Sequence, residues 1–205
     1  MRLTRFISIS AVGLFVLLAA VSLVIRAQPF DDHTIRAILL PSDCSAPCFI
    51  GIQPKLTQMK QAYALLEKNS WMGDISSHID SGCCSVVVNW KWNGRQPDHL
   101  ANGDNGVYFS YDANTGIQTV QNIALHTQIA AGYAILVLGA WPNEGALQGK
   151  DHALVEMSYP QQFIHITTTI PCPLNRWQLW QAPMTLEINN NSWNMSGMKR
   201  LSQVC

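Results

Sequence analysis

Charge is what this sequence has least of. Only 13% of its 205 residues are Asp, Glu, Lys or Arg, against about 25% in ordinary soluble domains. Thirteen basic residues balance thirteen acidic ones, leaving no formal net charge. Nucleic-acid binders carry a basic excess, so no nucleic-acid partner is expected. Disorder needs low hydrophobicity and high net charge, and an apolar content of 48% excludes it. The catalytic signatures are missing as well. There is no G-x-S-x-G, no H-E-x-x-H, no P-loop and no G-x-G-x-x-G, so no ready-made hydrolase, zincin or nucleotide site is present. No cofactor is expected.

The scarcity of charge is sharpest near the start. Residues 6–25 contain none, and Arg2 and Arg5 precede them. As a helix, 20 residues would span about 30 Å, the thickness of a bilayer core. The flanking arginines predict a cytoplasmic N-terminus. Two readings follow. One is a retained single-pass transmembrane anchor, favoured by length. The other is a cleaved signal peptide, with Ala20-Val-Ser22 or Ile25-Arg-Ala27 near the cut. Both place the rest outside the cytoplasm, either at the cell membrane or secreted. Residues 1–27 are therefore expected to be anchor or signal, 28–42 a spacer, and 43–205 an extracytoplasmic domain. Without Arg2, Arg5 and Arg26 the exported part holds ten basic and thirteen acidic residues.

All six cysteines, Cys44, Cys48, Cys83, Cys84, Cys172 and Cys205, follow the apolar segment. In an oxidising compartment they read as disulfides. The sequence does not choose among the pairings. The competing reading is a thiol or metal site at Cys83 and Cys84 with nearby His78, but no second close ligand pair accompanies them.

Hydrophobic periodicity outlines an α+β domain. Leu56, Met59, Tyr63 and Leu66 mark one face of a helix over 57–68. Residues 85–92 alternate, with Val86, Val88, Trp90 and Trp92 on one face, and predict a half-buried strand. Residues 95–106 read as a polar loop. Residues 107–111 and 117–125 predict a hairpin across Asp112-Ala-Asn-Thr-Gly116. That loop opens like a calcium site, but Ile117 and Ile123 stand where Gly and Glu are required. The apolar run 129–141, with Thr127 before it and Gly139 and Pro142 after, predicts a buried helix, with a buried strand over 134–138 as the competing reading. Strands follow at 153–159, 164–170 and 184–188. The expected fold is a transmembrane helix followed by an antiparallel sheet with two helices on one face. Its α-βββ-α-βββ rhythm suggests an internal duplication.

Two short stretches carry a resemblance. Pro47-Cys-Phe-Ile-Gly-Ile-Gln-Pro54 before a helix resembles the opening of the folded part in a group of exported, membrane-anchored bacterial proteins. Gly139-Ala-Trp-Pro142 is similar to helix ends in SmpA/OmlA-type assembly lipoproteins and in β-lactamase inhibitory protein. Unlike those lipoproteins, this chain lacks a lipidation cysteine. The resemblance implies a non-catalytic, protein-contacting domain and assigns no residue a role.

Three sets of residues remain as candidates. Trp177 and Trp180, bracketed by Pro173 and Pro183, could engage a protein or glycan partner. Trp90 and Trp92 read as core because Val86 and Val88 share their face. Asp98, His99 and Asp104 offer a loop-built site for an exported enzyme. His165, among β-branched neighbours, reads as a hydrogen-bonded wall residue. Asn190 and Asn194 begin N-x-S sequons, which matter only in a glycosylating host. The leading expectation is a membrane-anchored, disulfide-stabilised extracytoplasmic domain with a binding or structural role.

Overall fold

Strand alternation organises the structure, a computed structural model that describes residues 12–23, 33–42, 44–45, 47–79, 85–111, 118–139, 142–173, 175–189, 198–200 and 203–204. The chain divides into two units, Met1–Asp32 and His33–Cys205.

In the first unit, residues 12–23 form helix α1, whose described side chains are all exposed. Among the described residues no helix is long and apolar enough to cross a membrane. This corrects the transmembrane helix expected over 6–25.

The second unit is dominated by one eight-stranded antiparallel sheet. Its strands are β1 (Met72–Ile79), β2 (Ser85–Trp92), β3 (Asn105–Tyr111), β4 (Gln118–Ala130), β5 (Asn143–Gln148), β6 (His152–Tyr159), β7 (Ile164–Pro171) and β8 (Pro183–Asn189), in the order β1-β2-β3-β4-β8-β7-β6-β5. Four short helices accompany it: α2 (His33–Leu39), α3 (Met59–Lys68), α4 (Ala131–Leu138) and α5 (Arg176–Gln181). The fold is therefore sheet-dominated rather than the expected anchor followed by α+β with two helices. Each half of the sheet is a four-strand meander, not a three-strand one, because β1 and β5 add an edge strand on each side. Helix α2 lies inside the stretch read as spacer and buries Ile35, Ile38 and Leu39.

Register explains the core. Val88 lies opposite Val107, Val107 opposite Ile123, Ile123 opposite Ile188, and Ile188 opposite Ile164. One face thus carries a continuous apolar band, since side chains alternate with period two. Trp90 and Trp92 belong to it, 2% and 5% exposed, with ring centroids 5.6 Å apart and edge to face. The buried residues of α2, α3, α4 and α5 join the same cluster, so these helices cover that face. In α3 the buried positions are Ala62 and Leu66, while Leu56 is 71% exposed. Thr57 lies before the helix, where its Oγ1 accepts from the Gln53 amide at 2.8 Å.

Helix α4 begins where β4 ends and stops at Gly139, whose φ of +70° suits a residue without Cβ. It packs against α2, α5 and β4. Gly132 permits the close approach of α5: a Cβ there would lie 2.4 Å from the Trp180 ring. Gly132→Ala is expected to cost about 1–3 kcal/mol by overpacking, read as a lower urea midpoint. An unchanged midpoint would show that α5 moves aside freely.

Candidate functional site

Among the described residues, the second face of the sheet receives no helix from the apolar cluster, and alternation gives it the polar residues. One row runs across all eight strands: Ser76, Asn89, Gly106, Ala124, Glu187, His165, Ser158 and Asn143. A parallel row places His126 opposite Thr185, Thr185 opposite Thr167, and Thr167 opposite Glu156.

His165 and Ser158 are buried, and Glu156 and Glu187 half-buried, although among the described residues no helix covers them. His165 is fully buried, and its Nε2 lies 3.3 Å from Glu156 Oε2. Glu187 sits directly opposite His165 on β8. The Asn122 amide donates to Glu187 Oε2 at 3.1 Å. The result is an imidazole with two carboxylates and an amide around it near the middle of the sheet's second face.

The electrostatics follow from burial. Desolvation lowers the His165 imidazole to about 4, because a charged ring there would lose its water. It is neutral at pH 7 despite the neighbouring carboxylate. Burial pushes the Glu156 carboxyl up. Burial also raises Glu187, the Asn122 hydrogen bond pulls it partly back, and the Glu156 charge raises it further. These carboxylates repel one another and lack full hydration. A cationic group brought to them would favour their ionised forms.

Beside this cluster lies a cleft of about 380 Å³ lined by His126, Thr127, Leu154, Thr167, Thr168, Thr169, Pro183, Met184 and Thr185. His126 Nδ1 lies 3.4 Å from Thr185 Oγ1. Two threonine hydroxyls are already committed: Thr127 donates to the Met184 carbonyl and Thr168 to the Pro183 carbonyl, each at 2.8 Å. The cleft offers hydroxyls and an imidazole but no carboxylate among its walls.

The residues singled out from sequence fall elsewhere. Asp98 and Asp104 are exposed and His99 is half-buried. Other groups fasten their loop: the Gln128 amide donates to the His99 carbonyl at 2.8 Å, the Ala101 amide to the His126 carbonyl at 3.0 Å, and the Trp92 indole N–H to the Ala101 carbonyl at 2.9 Å. No hydrogen bond or ion pair joins these three side chains among the described residues. The loop instead places Gly103 against the His126 ring.

Trp177 is 63% exposed, whereas Trp180 is half-buried against Gly132. Both belong to α5, not to a loop. Cys44 and Cys48 form a disulfide, with Cα atoms 6.2 Å apart. Cys172 is disulfide-bonded as well, and no cysteine among the described residues is free. Cys83, Cys84 and Cys205 lie outside the described residues, as do the 112–116 turn and the two sequons. His78 is exposed, and its Nδ1 lies 3.5 Å from the Asn89 amide nitrogen. No group of three His, Cys, Asp or Glu among the described residues is arranged to hold a metal.

Sequence reading identified His165 as a wall residue but missed Glu156, Glu187 and Asn122. Each occupies a polar position of an alternating strand, the one signal the sequence offers. Fold and site together define an antiparallel sheet domain with one helix-covered face and one acid-bearing face that, among the described residues, carries no helix. Comparison with known proteins finds no matching family model, no matching curated protein and no matching solved structure.

Proposed function

We propose that this chain is a membrane-associated, extracytoplasmic binding domain that presents the open face of its sheet to a protein partner. The observation that carries this reading is a fully buried His165 beside the half-buried Glu156 and Glu187 on a face that, among the described residues, no helix covers. Ionisable groups held out of water reduce stability, and such groups cluster at functional positions. The chemistry they favour is a cationic side chain from a partner, which would neutralise the paired carboxylates. Tyr108, 38% exposed on the same face, adds an aromatic contact of the kind enriched in interfaces. The compartment is supported by the Cys44–Cys48 bridge and by bonded Cys172, since such bridges persist where the medium is oxidising. Membrane association is supported by α1, whose Leu14, Phe15 and Leu17 are each more than half exposed.

The test is site-specific photo-crosslinking in the producing cell. A photoreactive residue at Tyr108 is expected to give one discrete protein adduct, lost in Glu156→Gln/Glu187→Gln. The same probe at Lys68, on α3, is expected to give none. Equal adducts from both positions, or an adduct indifferent to the two glutamates, would remove the open face as the binding surface. Competition by a polysaccharide would point to a glycan instead.

A further inference from the structure

We infer that Cys172 is bridged to Cys205, and that this bridge straps the C-terminal end of the chain against the outer edge of β5. The partner of Cys172 follows by elimination. Cys172 is disulfide-bonded, and Cys44 and Cys48 bond each other. The cysteines that remain are Cys83, Cys84 and Cys205. A disulfide holds its two Cα atoms about 4.4–6.8 Å apart, so distance decides among the three.

Strand register excludes the first two. Val88 on β2 is level with Ile164 on β7, through Val107, Ile123 and Ile188. From that level Ser85 lies three residues one way along β2. Cys172 lies eight residues the other way, just past the end of β7. Its amide donates to the Asp151 carbonyl at 3.0 Å, which keeps it in line with the sheet. At about 3.3 Å per residue, roughly 35 Å separates Ser85 from Cys172 along the strands. Strands β3, β4 and β8 also stand between β2 and β7. Chain connection keeps Cys84 and Cys83 within about 8 Å of Ser85. Neither can reach Cys172.

Cys205 can. Lys199 lies on the outer edge of β5: the Ala146 amide donates to the Lys199 carbonyl at 2.9 Å, and the Lys199 amide donates back at 3.1 Å. Ala146 is level with Val155 and Thr168, and Cys172 is four residues beyond Thr168. By the same spacings Lys199 and Cys172 are about 20 Å apart. Six residues and a bridge cover that distance. Val204, directly before Cys205, is buried in the apolar cluster.

The strap has a use. An edge strand offers unpaired amides and carbonyls to any passing chain, and at Ala146 this edge is already taken. One pair of backbone hydrogen bonds and one buried valine are little to set against the entropy of a released chain end. The bridge removes most of that entropy by closing the loop from Cys172 to Cys205. Forming it joins the two Sγ atoms and passes two electrons and both thiol protons to an oxidising disulfide, which leaves as a dithiol. The β5 edge is thus guarded in the oxidised chain and opened by reduction. This inference is independent of the partner proposed for the second face.

The experiment begins with peptide mapping of the full chain, alkylated and digested without reduction. One linked pair of peptides carrying Cys172 and Cys205, absent after reduction, is expected. A link from Cys172 to Cys83 or Cys84, or an alkylated Cys172, overturns the assignment whether or not any variant folds. The strap is read by amide hydrogen exchange in Cys172→Ser/Cys205→Ser. The Ala146 amide, whose acceptor is Lys199, is expected to exchange about tenfold faster than in wild type or more, while amides of β2 and β3 keep their rates. Unchanged exchange at Ala146 would show that the chain end stays in place without its bridge, and would overturn the strap.

Discussion

Trp90→Ala is expected to lower the stability of the folded unit by about 3–5 kcal/mol, the range for emptying a fully packed tryptophan site. Trp90 sits in the second half of β2, 2% exposed, with Trp92 edge-on beside it at 5.6 Å. Trp92 in turn meets Phe49 edge to face at 6.5 Å. Removing the indole therefore leaves a void whose walls are β-strands and rings that cannot collapse inward. Aromatic pairing adds about 0.5–1.5 kcal/mol beyond area burial. Trp177→Ala is the control. With 63% of that residue in solvent, its loss should change stability by less than about 0.5 kcal/mol. Urea unfolding followed by far-ultraviolet circular dichroism measures both. Equal losses from the two variants would contradict the packing described for β2.

The second large effect is pH-dependent and centres on His165. Its folded value of about 4 lies below an unfolded value of about 6.5. The unfolded chain thus takes up the proton first as pH falls. The contribution is fully present above pH 6.5 and lost on the way down through pH 4. A shift of that size corresponds to about 3 kcal/mol. Glu156 and Glu187 act in the opposite sense. Their folded values are raised, so their stabilising contribution is present below the unfolded carboxylate value and lost as pH rises through the raised one. Wild type is expected to lose stability between pH 6.5 and 4, less steeply than His165 alone would dictate. In His165→Gln that acid-side loss should disappear, and Glu187→Gln should gain on wild type as pH rises. Urea midpoints between pH 4 and 8 test this. Parallel profiles for wild type and His165→Gln would mean that the imidazole is not desolvated.

Much of the sheet was legible because alternation is a local signal. Residues 85–92 read correctly as β2, and the 153–159 and 164–170 runs became β6 and β7. Gly139 and Pro142 correctly ended a buried helix, although its start fell at Ala131, because 118–130 stays extended as one long strand. The edge strands were not legible. Met-Gly-Asp-Ile-Ser-Ser-His-Ile in β1 and Asn-Glu-Gly-Ala-Leu-Gln in β5 are polar and lack a clean period of two. Their pairing comes from neighbours, not from propensity. Helices α2 and α5 are seven and six residues long, too short for periodicity to stand out. The site was hidden for a different reason. Glu156, His165 and Glu187 lie on three strands, and register alone brings them together. Nothing in the sequence shows that β8 inserts between β4 and β7. Acid and imidazole neighbours in sequence, such as Asp98 and His99, drew attention instead, yet their loop bonds to β4 and to Trp92 of β2 through other groups.

That insertion governs the order in which the molecule can be completed. Strand β8 pairs with β4 from Asn122–Asn189 to Ala130–Pro183, about sixty residues apart along the chain. Until it arrives, β4 and β7 each present a row of unsatisfied amides and carbonyls. Loop closure over such distances is slow, so β1–β4 and β5–β7 can form early but their union through β8 comes last. For a chain delivered N-terminus first, the final described strand is the keystone. A chain truncated before Pro183 would leave two sheet fragments with adhesive inner edges, suited to joining other chains rather than each other.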